Sequence, residues 1–238
     1  MTRIDGRAFD ALRKIEVKKD FMPNSGGSCL ISFGNTQIIV TANMNHSVPP
    51  FLEGKGQGWL TAEYAMLPGS TSPRKWRERS KLDGRSSEIQ RLIGRSLRSV
   101  MDFTAFADMT FTVDADVIAA DGGTRTAAIT GGYIALSLLV EKLLKEEVLA
   151  KNPIKKQIAA VSAGIVAGEA LLDLCYAEDS RAEADMNFVG TASGGISEIQ
   201  IAGEARDVEE SEFLALLALC QKGVRELIAI QQAVLKEA

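Results

Sequence analysis

The sequence predicts an α+β fold built from two similar halves of one domain that spans residues 1–238. Strand-like segments followed by a long helix-like segment occur twice along the chain, and a helix-breaking Lys-Asn-Pro at 151–153 separates the two runs. The chain has 238 residues and is 46% apolar, which is enough for one large domain or two closely packed halves. We therefore expect halves of about 1–150 and 151–238, each with strands and a closing helix.

Strands dominate the beginning of the first half. Residues 27–44 form two apolar runs around a Gly-Asn turn at 34–35, which predicts a hairpin. Residues 59–67 and 110–118 are short runs with the composition and alternation of strands. Residues 70–85 contain few apolar side chains and no periodicity, so we expect a mobile basic loop there.

Two helices are predicted in the first half. One begins near Ser87, because apolar residues then recur at helical spacing. Its apolar face comprises Ile89, Ile93, Leu97 and Val100. The other helix extends from about Thr124 to Glu147. Its apolar stripe comprises Ile129, Tyr133, Leu136, Val140 and Leu143.

The second half repeats this order of elements, although the repeat is not obvious in residue identity. Residues 157–166 and 169–176 predict one hairpin, and residues 186–192 and 196–201 predict another. A final helix is expected from about Asp207, whose side chain is a suitable N-cap.

The composition excludes several classes of site. Cys29, Cys175 and Cys220 lack metal-site spacing and lie in apolar segments, so we expect buried thiols in a reducing compartment, the cytoplasm. His46 is the only histidine, which leaves no serine–histidine or cysteine–histidine arrangement elsewhere and essentially excludes zinc. The sequence has no apolar run of transmembrane length and no signal-peptide pattern at Met1, so no membrane partner is expected.

Positive charge is concentrated in one segment. The whole chain has a net charge of −4, but residues 74–98 contain nine basic and three acidic side chains, a net +6, which leaves −10 for the rest. An acidic protein with one basic segment favours a local contact with a polyanion such as a nucleic acid.

The motif ADGGTRTAAITGG at 120–132 lies where a strand is expected to pass into a helix. The first N–H groups of a helix have no intrahelical partner and carry partial positive charge, and glycines allow a ligand to approach them. Arg125 would add a planar fork of donors suited to phosphate. The alternative is a helix capped by Asp121 or Thr124, with Arg125 in solvent. The motif is neither a P-loop nor G-x-G-x-x-G.

The acidic segment YAEDSRAEADMNFV at 176–189 joins two predicted strands. If those strands pair antiparallel, Asp179 at the end of one and Asp185 at the start of the other converge. Two converging carboxylates suit Mg²⁺, which takes one or two carboxylates together with water and phosphate oxygens. The alternative is a solvated acidic turn. An anion site and a metal site in one chain are typical of phosphoryl transfer.

Six segments resemble the bacterial ribonuclease PH family, the phosphate-dependent tRNA nucleotidyltransferases. The resemblance runs through nearly the whole chain, and its most specific motifs are the arginine-rich helix and ADGGTRTA. The segments are RIDGR (3–7), GSCLISFGNT (27–36), QGWLTAEYAMLP (57–68), GRSSEIQRLIGRSLR (84–98), DVIAADGGTRTAAITG (116–131) and YAEDSRAEADMN (176–187).

The resemblance implies the ribonuclease PH fold, which is ribosomal protein S5 domain 2-like and has two pseudo-symmetric βαβα halves. It implies a homohexamer that is a trimer of dimers. The implied reaction is phosphorolysis, in which inorganic phosphate, the co-substrate, attacks the last phosphodiester of an RNA 3′ end and releases a nucleoside diphosphate. The reverse reaction adds nucleotides, and the implied substrates are the 3′ ends of tRNA precursors.

The family's functional residues transfer to matching positions of this chain. Phosphate binding falls on Arg85, Gly123, Thr124 and Arg125. Mg²⁺ binding falls on Asp179 and Asp185, which with Arg125 are the expected catalytic residues. Guidance of the RNA strand falls on Arg74, Arg77 and Arg79.

The chain departs from the family pattern at two places. Gly69 stands where an arginine commonly follows the proline, and residues 201–206 read IAGEAR where G-T-A-E-G is usual. One alternative is a non-catalytic RNA-binding ring subunit, but such members usually lose phosphate-binding arginines or metal carboxylates, which this chain keeps. A small-molecule kinase of the same superfamily would need a glycine-rich nucleotide loop, for which only residues 54–58 offer a weak candidate.

Overall fold

The structure is a computed structural model that describes residues 2–77 and 83–236. A five-stranded sheet in the order β1-β2-β3-β5-β4 forms the first half. Its strands are β1 (Ile15–Lys19), β2 (Gly27–Phe33), β3 (Thr36–Asn45), β4 (Trp59–Met66) and β5 (Thr110–Ala119). All neighbours are antiparallel except β4 and β5, which run parallel because a helical crossover joins them.

A four-stranded antiparallel sheet in the order β7-β6-β8-β9 forms the second half. Its strands are β6 (Ile158–Val166), β7 (Glu169–Leu172), β8 (Ala184–Thr191) and β9 (Ile196–Gly203). The helices in the described residues are α1 (Gly84–Arg98), α2 (Thr124–Lys145), α3 (Tyr176–Asp179) and α4 (Glu210–Lys236). Short 3₁₀ turns occupy Pro50–Leu52, Pro68–Ser70 and Phe103–Phe106.

Helix α2 is the centre of the fold, because it packs against β2, β3 and β5 of the first sheet and β6 of the second. Its small residues permit this close approach. A Cβ at Gly131 would lie 2.8 Å from Ile31 and 3.0 Å from Val40. Helix α4 covers the other face of the second sheet, where a Cβ at Gly223 would lie 3.3 Å from Val161. The N-terminus of α2 is therefore held between the two halves.

Most predicted elements are present, with shifted ends. The hairpin at 34–35, the strand pair around residue 168 and the long central helix are confirmed. Helix α1 begins at Gly84 rather than near Ser87, because Asp83 caps it by accepting a hydrogen bond from Ser86 N at 2.6 Å. Helix α4 begins at Glu210 rather than near Asp207. Strand β1 was not predicted.

The two halves do not follow an identical order of elements. The first half inserts α1 between β4 and β5, whereas the second half places four strands before its only long helix. The α+β class is nevertheless confirmed, and the division into halves at about 1–150 and 151–238 stays a prediction.

Among the described helices, only α2 is long and apolar enough to cross a membrane by length and composition. Most of this helix is buried between the two sheets. This differs from the expectation that no segment reaches transmembrane length. A buried core helix meets the same criteria, so the feature is weak evidence for a membrane span.

Candidate active site

One cavity of about 800 Å³ opens between the first turns of α1 and α2 and one face of the second sheet. It brings together every residue that the sequence predicted for phosphate and metal binding. Those residues are Arg85, Gly123, Thr124, Arg125, Asp179 and Asp185. Segments far apart in the sequence thus contribute cationic, backbone and carboxylate groups to one space.

The start of α2 is shaped by two glycines in the left-handed region. Gly122 has a φ of 76°, and a Cβ there would lie 2.7–2.8 Å from backbone atoms of residues 174–176, so no other residue fits. Gly123 is the N-cap with a φ of 66°, and no side chain of the described residues caps the helix. The predicted alternative of a cap by Asp121 or Thr124 is therefore wrong.

The two side chains considered as caps have other partners. Asp121 accepts hydrogen bonds from Asn35 Nδ2 at 3.1 Å and from Tyr176 N at 3.1 Å. The Thr124 hydroxyl lies 2.8 Å from the Tyr64 hydroxyl. The backbone N–H groups at the beginning of α2 therefore face the cavity with the partial positive charge of the helix terminus, which is an arrangement that attracts anions.

Two arginines flank this helix terminus. Arg85 lies in the first turn of α1 and is exposed to the cavity. Arg125 is partly buried, and its Nη2 lies 3.4 Å from Glu88 Oε2 on α1, so the prediction of a fully solvated Arg125 is also wrong. The ion pair orients the guanidinium without covering it, since Arg125 still lines the cavity.

The two carboxylates lie close to the same cavity, but the elements that carry them differ from those predicted. Asp179 is the last residue of the short helix α3, not the end of a strand, and Asp185 lies near the start of β8. Strands β7 and β8 do not pair with each other; each pairs with β6. Both carboxylates nevertheless line the same wall of the cavity.

Burial and nearby charges shift the pKa of both carboxylates. Burial raises the pKa of Asp185, and the charges of Asp179 and Glu204 raise it further. Burial likewise raises the pKa of Asp179, although the nearby charges of Arg85 and Arg125 act in the opposite direction. Neighbouring carboxylates repel each other when both are ionised, and either a proton or a divalent cation bound between them relieves that repulsion. The pair therefore fits Mg²⁺.

The described residues contain no group of three or more histidine, cysteine, aspartate or glutamate side chains placed to hold a metal. This finding disfavours a closed structural metal site. It is compatible with Mg²⁺, which usually keeps several water ligands and needs only one or two carboxylates.

A row of polar residues on the second sheet forms the floor of the cavity and was not predicted. Ser162, Asn187 and Gln200 lie side by side across β6, β8 and β9. Asn187 Nδ2 donates to Asp185 Oδ2 at 3.2 Å, which orients one carboxylate. Ser162 Oγ is buried and has no hydrogen-bond partner among the described residues. Only the register of the sheet could reveal this row.

Two buried arginines hold the loops that carry the site. Arg13 donates to the Asp121 carbonyl at 2.7 Å and to both Asp173 oxygens at 3.0 and 2.6 Å. Arg3 donates to both Glu178 oxygens at 2.8 and 2.7 Å. These charge-assisted pairs tie the beginning of the chain to the phosphate loop and to α3. Through Arg3, the RIDGR motif at 3–7 fixes a segment near residue 178 that is distant in the sequence.

The basic segment divides into two parts with different surroundings. Arg74 and Arg77 are exposed on the loop before α1, outside the lining of the cavity, whereas Arg79 lies outside the described residues. On α1, Arg95 pairs with Glu198 of β9 at 3.2 Å through Nε, and Arg98 stacks over Trp59 at 4.8 Å. Arg95 and Arg98 thus contact residues of β9 and β4, whereas Arg74 and Arg77 are exposed to solvent.

The chain is similar to one family of RNA-degrading enzymes along most of its length. The model for domain 1 of the 3′ exoribonuclease family matches residues 11–140, and the model for domain 2 matches residues 156–223. Ribonuclease PH of Neisseria meningitidis serogroup B is 52% identical over 234 residues, covering 98% of this chain and 97% of the relative. The chain belongs to the ribonuclease PH family of 3′ exoribonucleases.

A second relative, ribonuclease PH of a Synechococcus strain, is 50% identical over 236 residues and covers 98% of this chain and 97% of the relative. Rice Rrp46 has a TM-score of 0.80 at 16% identity, covering 98% of this chain and 100% of its own. An Archaeoglobus fulgidus exosome with RNA bound to the active site also has a TM-score of 0.80, at 22% identity, covering 95% of this chain and 91% of the other. These structures support the fold alone.

The ribonuclease PH relatives confirm the predicted family and its phosphorolytic 3′ exoribonuclease activity. The alternative of a non-catalytic RNA-binding subunit is less supported. One departure from the family pattern lies at the cavity, because Ile201, Ala202 and Glu204 line it. The other, Gly69, is not part of the lining, and a Cβ there would meet no atom within 4 Å.

Proposed function

We propose that this chain shortens RNA from the 3′ end by using inorganic phosphate bound at the N-terminus of α2. The observation that carries this proposal is the single cavity in which Arg85, Arg125 and the first turn of α2 face Asp179 and Asp185. Its donors suit a phosphate dianion, and its carboxylates suit a cation. The described lining contains no histidine or cysteine, in keeping with a reaction whose nucleophile is phosphate itself.

In the proposed reaction, a phosphate oxygen forms a bond to the phosphorus of the terminal phosphodiester. The bond between that phosphorus and the 3′ oxygen of the preceding nucleotide breaks, and the terminal residue leaves as a nucleoside diphosphate. The preceding 3′ oxygen takes up a proton and becomes the new RNA end. The protein's contribution is orientation and charge neutralisation, which dominate catalysis of phosphoryl transfer.

Each site residue has a defined part in this scheme. Arg85, Arg125 and the N–H groups of residues 123–125 hold the attacking phosphate and fix its direction. Glu88 keeps the Arg125 guanidinium in place through the 3.4 Å ion pair. Asp179 and Asp185 would hold Mg²⁺, and Asn187 orients Asp185. When bound, Mg²⁺ supplies positive charge against the scissile phosphate and the leaving oxygen.

The RNA substrate enters past the basic loop in this proposal. Arg74, Arg77 and Arg79 contact backbone phosphates, because an exonuclease must accept any 3′ tail. The physiological substrates are 3′ ends of tRNA precursors, and the assembly is a homohexamer in which loops of several subunits hold one tRNA. Three buried cysteines without a disulfide agree with a cytoplasmic location.

The experiment that tests the site compares variants on RNA with excess phosphate. Arg125→Ala should reduce nucleoside diphosphate release on the order of 10²-fold or more, since it removes a charge-assisted contact to the reacting group. Asp185→Asn should abolish Mg²⁺-dependent activity and leave RNA binding intact. Arg225→Ala is the matched control, because Arg225 is exposed on α4, outside the basic segment, and does not line the cavity. Near-normal activity of the first two variants would contradict the residue roles.

A further inference from the structure

Trp76 is an exposed aromatic side chain that the proposed reaction does not use. It is 84% exposed, more than any other large hydrophobic side chain in the described residues. The guanidinium of Arg74 lies 5.4 Å from the Trp76 ring centroid, and Arg77 is exposed one residue further along the loop. A flat aromatic ring among cations has the chemistry that binds a single-stranded nucleic acid, because bases stack on the ring while cations meet the phosphates.

The loop that carries Trp76 is fixed at its beginning to the phosphate site. Ser70 is buried, and its carbonyl accepts a hydrogen bond from Ala120 N at 2.9 Å, three residues before Gly123. Lys75 N donates to the Pro68 carbonyl at 3.0 Å, which closes the loop immediately before Trp76. The loop that carries Trp76 is therefore attached, at Ser70, to the segment that leads into α2.

The same loop is connected to the first turn of α1. Lys75 Nζ lies 3.1 Å from Asp83, and Asp83 caps α1 through Ser86 N. Arg85, which lines the cavity, lies between these two cap residues. Both attachments lead to elements that carry phosphate-site residues, so the loop with Trp76 is fixed to each of them.

We propose that Trp76 stacks on a base of the single-stranded RNA 3′ tail, upstream of the scissile phosphodiester. The contact is independent of sequence because every base offers a flat face. Its role is to retain the tail between successive cleavages while the loop cations contact the backbone. This inference rests on the proposed function, since it needs an RNA strand that passes the loop to reach the cavity.

The test measures binding of a single-stranded oligoadenylate of about ten nucleotides in the absence of phosphate and Mg²⁺. This length is within the range that single-strand binding sites of proteins cover. Trp76→Ala should weaken binding on the order of tenfold, whereas Trp76→Phe should restore much of the loss because it keeps an aromatic face. Phe51→Ala is the matched control, since Phe51 is 56% exposed but lies outside the basic loop. Addition of the RNA should quench the tryptophan fluorescence of the unaltered protein, and this quenching should be largely lost in Trp76→Phe.

An abasic oligonucleotide of the same length separates stacking from charge. The unaltered protein and Trp76→Ala should bind it equally, because it offers phosphates but no bases. Equal affinity of all variants for oligoadenylate would overturn the inference, and so would a changed sedimentation mass of Trp76→Ala, which would make Trp76 a subunit contact. Release of nucleoside diphosphates by the unaltered protein is measured separately, so failure of the proposed reaction and failure of this inference give different results.

Discussion

Arg3 and Glu178 form a buried two-pronged ion pair that joins the beginning of the chain to the residue before a predicted metal ligand. Nε and Nη2 of Arg3 donate to the two Glu178 oxygens at 2.8 and 2.7 Å, and Arg3 is only 2% exposed. Glu178 also accepts from Cys175 N at 3.2 Å, so the pair caps α3 and fixes its last residue, Asp179. The position of one active-site carboxylate thus depends on a contact across 175 residues.

Arg3→Ala should destabilise the protein by about 3–5 kcal/mol, because it leaves the buried Glu178 carboxylate without its partner. The free energy of unfolding is measured by denaturant titration at neutral pH. Lys14→Ala is the matched control, since the Lys14–Glu16 pair is largely exposed and should contribute less than about 1 kcal/mol. Equal effects of the two substitutions would contradict the structural role of Arg3.

The Arg3–Glu178 contact should also weaken in acid. Burial alone would raise the pKa of Glu178, but hydrogen bonds from Arg3 and Cys175 N and the charges of Arg3 and Arg7 lower it overall. A carboxyl with a lowered pKa stabilises the folded state above its unfolded pKa, near 4.5, and this contribution is lost as pH falls through the folded pKa. The stability difference between the unaltered protein and Glu178→Gln should therefore shrink below pH 4.5. A difference that is constant with pH would contradict this account.

Asp185→Asn should raise the melting temperature at neutral pH while it removes activity. Burial and neighbouring carboxylates raise the pKa of Asp185, so the folded state holds its proton more tightly than the unfolded state. The protonated carboxyl therefore stabilises the folded state fully below the ordinary pKa of 3.8, and this contribution is lost as pH rises through the folded pKa. At neutral pH the ionised carboxylate lowers the stability of the folded state. Calorimetry without Mg²⁺ should show the gain, and it should diminish towards pH 3.8. A lower melting temperature would contradict this account, because it would mean that the hydrogen bond from Asn187 and the charge of Arg125 outweigh burial and carboxylate repulsion.

Ser162→Ala should leave the stability unchanged or increase it by about 1 kcal/mol, because the buried hydroxyl has no protein partner among the described residues. Ser96→Ala is the control, since Ser96 is also buried but its hydroxyl donates to the Leu92 carbonyl at 2.8 Å. The control should lose about 1 kcal/mol. Denaturant titration of both variants measures the contrast, and the reverse order would show that Ser162 has a partner.

The thiols of the native protein should be unreactive. Burial raises the pKa of Cys29 to about 12 and also raises that of Cys220, so neither forms appreciable thiolate near pH 8. A thiol reagent should modify Cys29 and Cys220 only after denaturation, and peptide mass spectrometry identifies the modified positions. Rapid labelling of Cys29 in the native state would contradict the packing of β2 against α2.

Local patterns predicted the elements whose own residues determine them. The Gly34-Asn35 turn and the periodicity of α2 are such cases, and both were correct. Strand β1, with the sequence IEVKK, was missed because it is short and mostly polar, and its place comes from pairing with β2. Such an edge strand has little signal of its own.

The composition of the candidate site was predictable, but its geometry was not. Family motifs supplied Arg85, Arg125, Asp179 and Asp185, and the structure places all four around one cavity. The interposed strand β6 could not be read from spacing, because which strands become neighbours is decided by packing across the whole sheet. For the same reason the unpartnered hydroxyl of Ser162 became visible only in three dimensions.

The central claim is that the cavity uses phosphate as its nucleophile, and the most direct test follows the phosphorus atom. The purified protein is incubated with a short 3′-tailed RNA, Mg²⁺ and radiolabelled inorganic phosphate, with a parallel reaction lacking phosphate. The account predicts labelled nucleoside diphosphates in the first reaction and no shortening of the RNA in the second. Unlabelled nucleoside monophosphates, released equally with and without phosphate, would show hydrolysis by water and contradict the account.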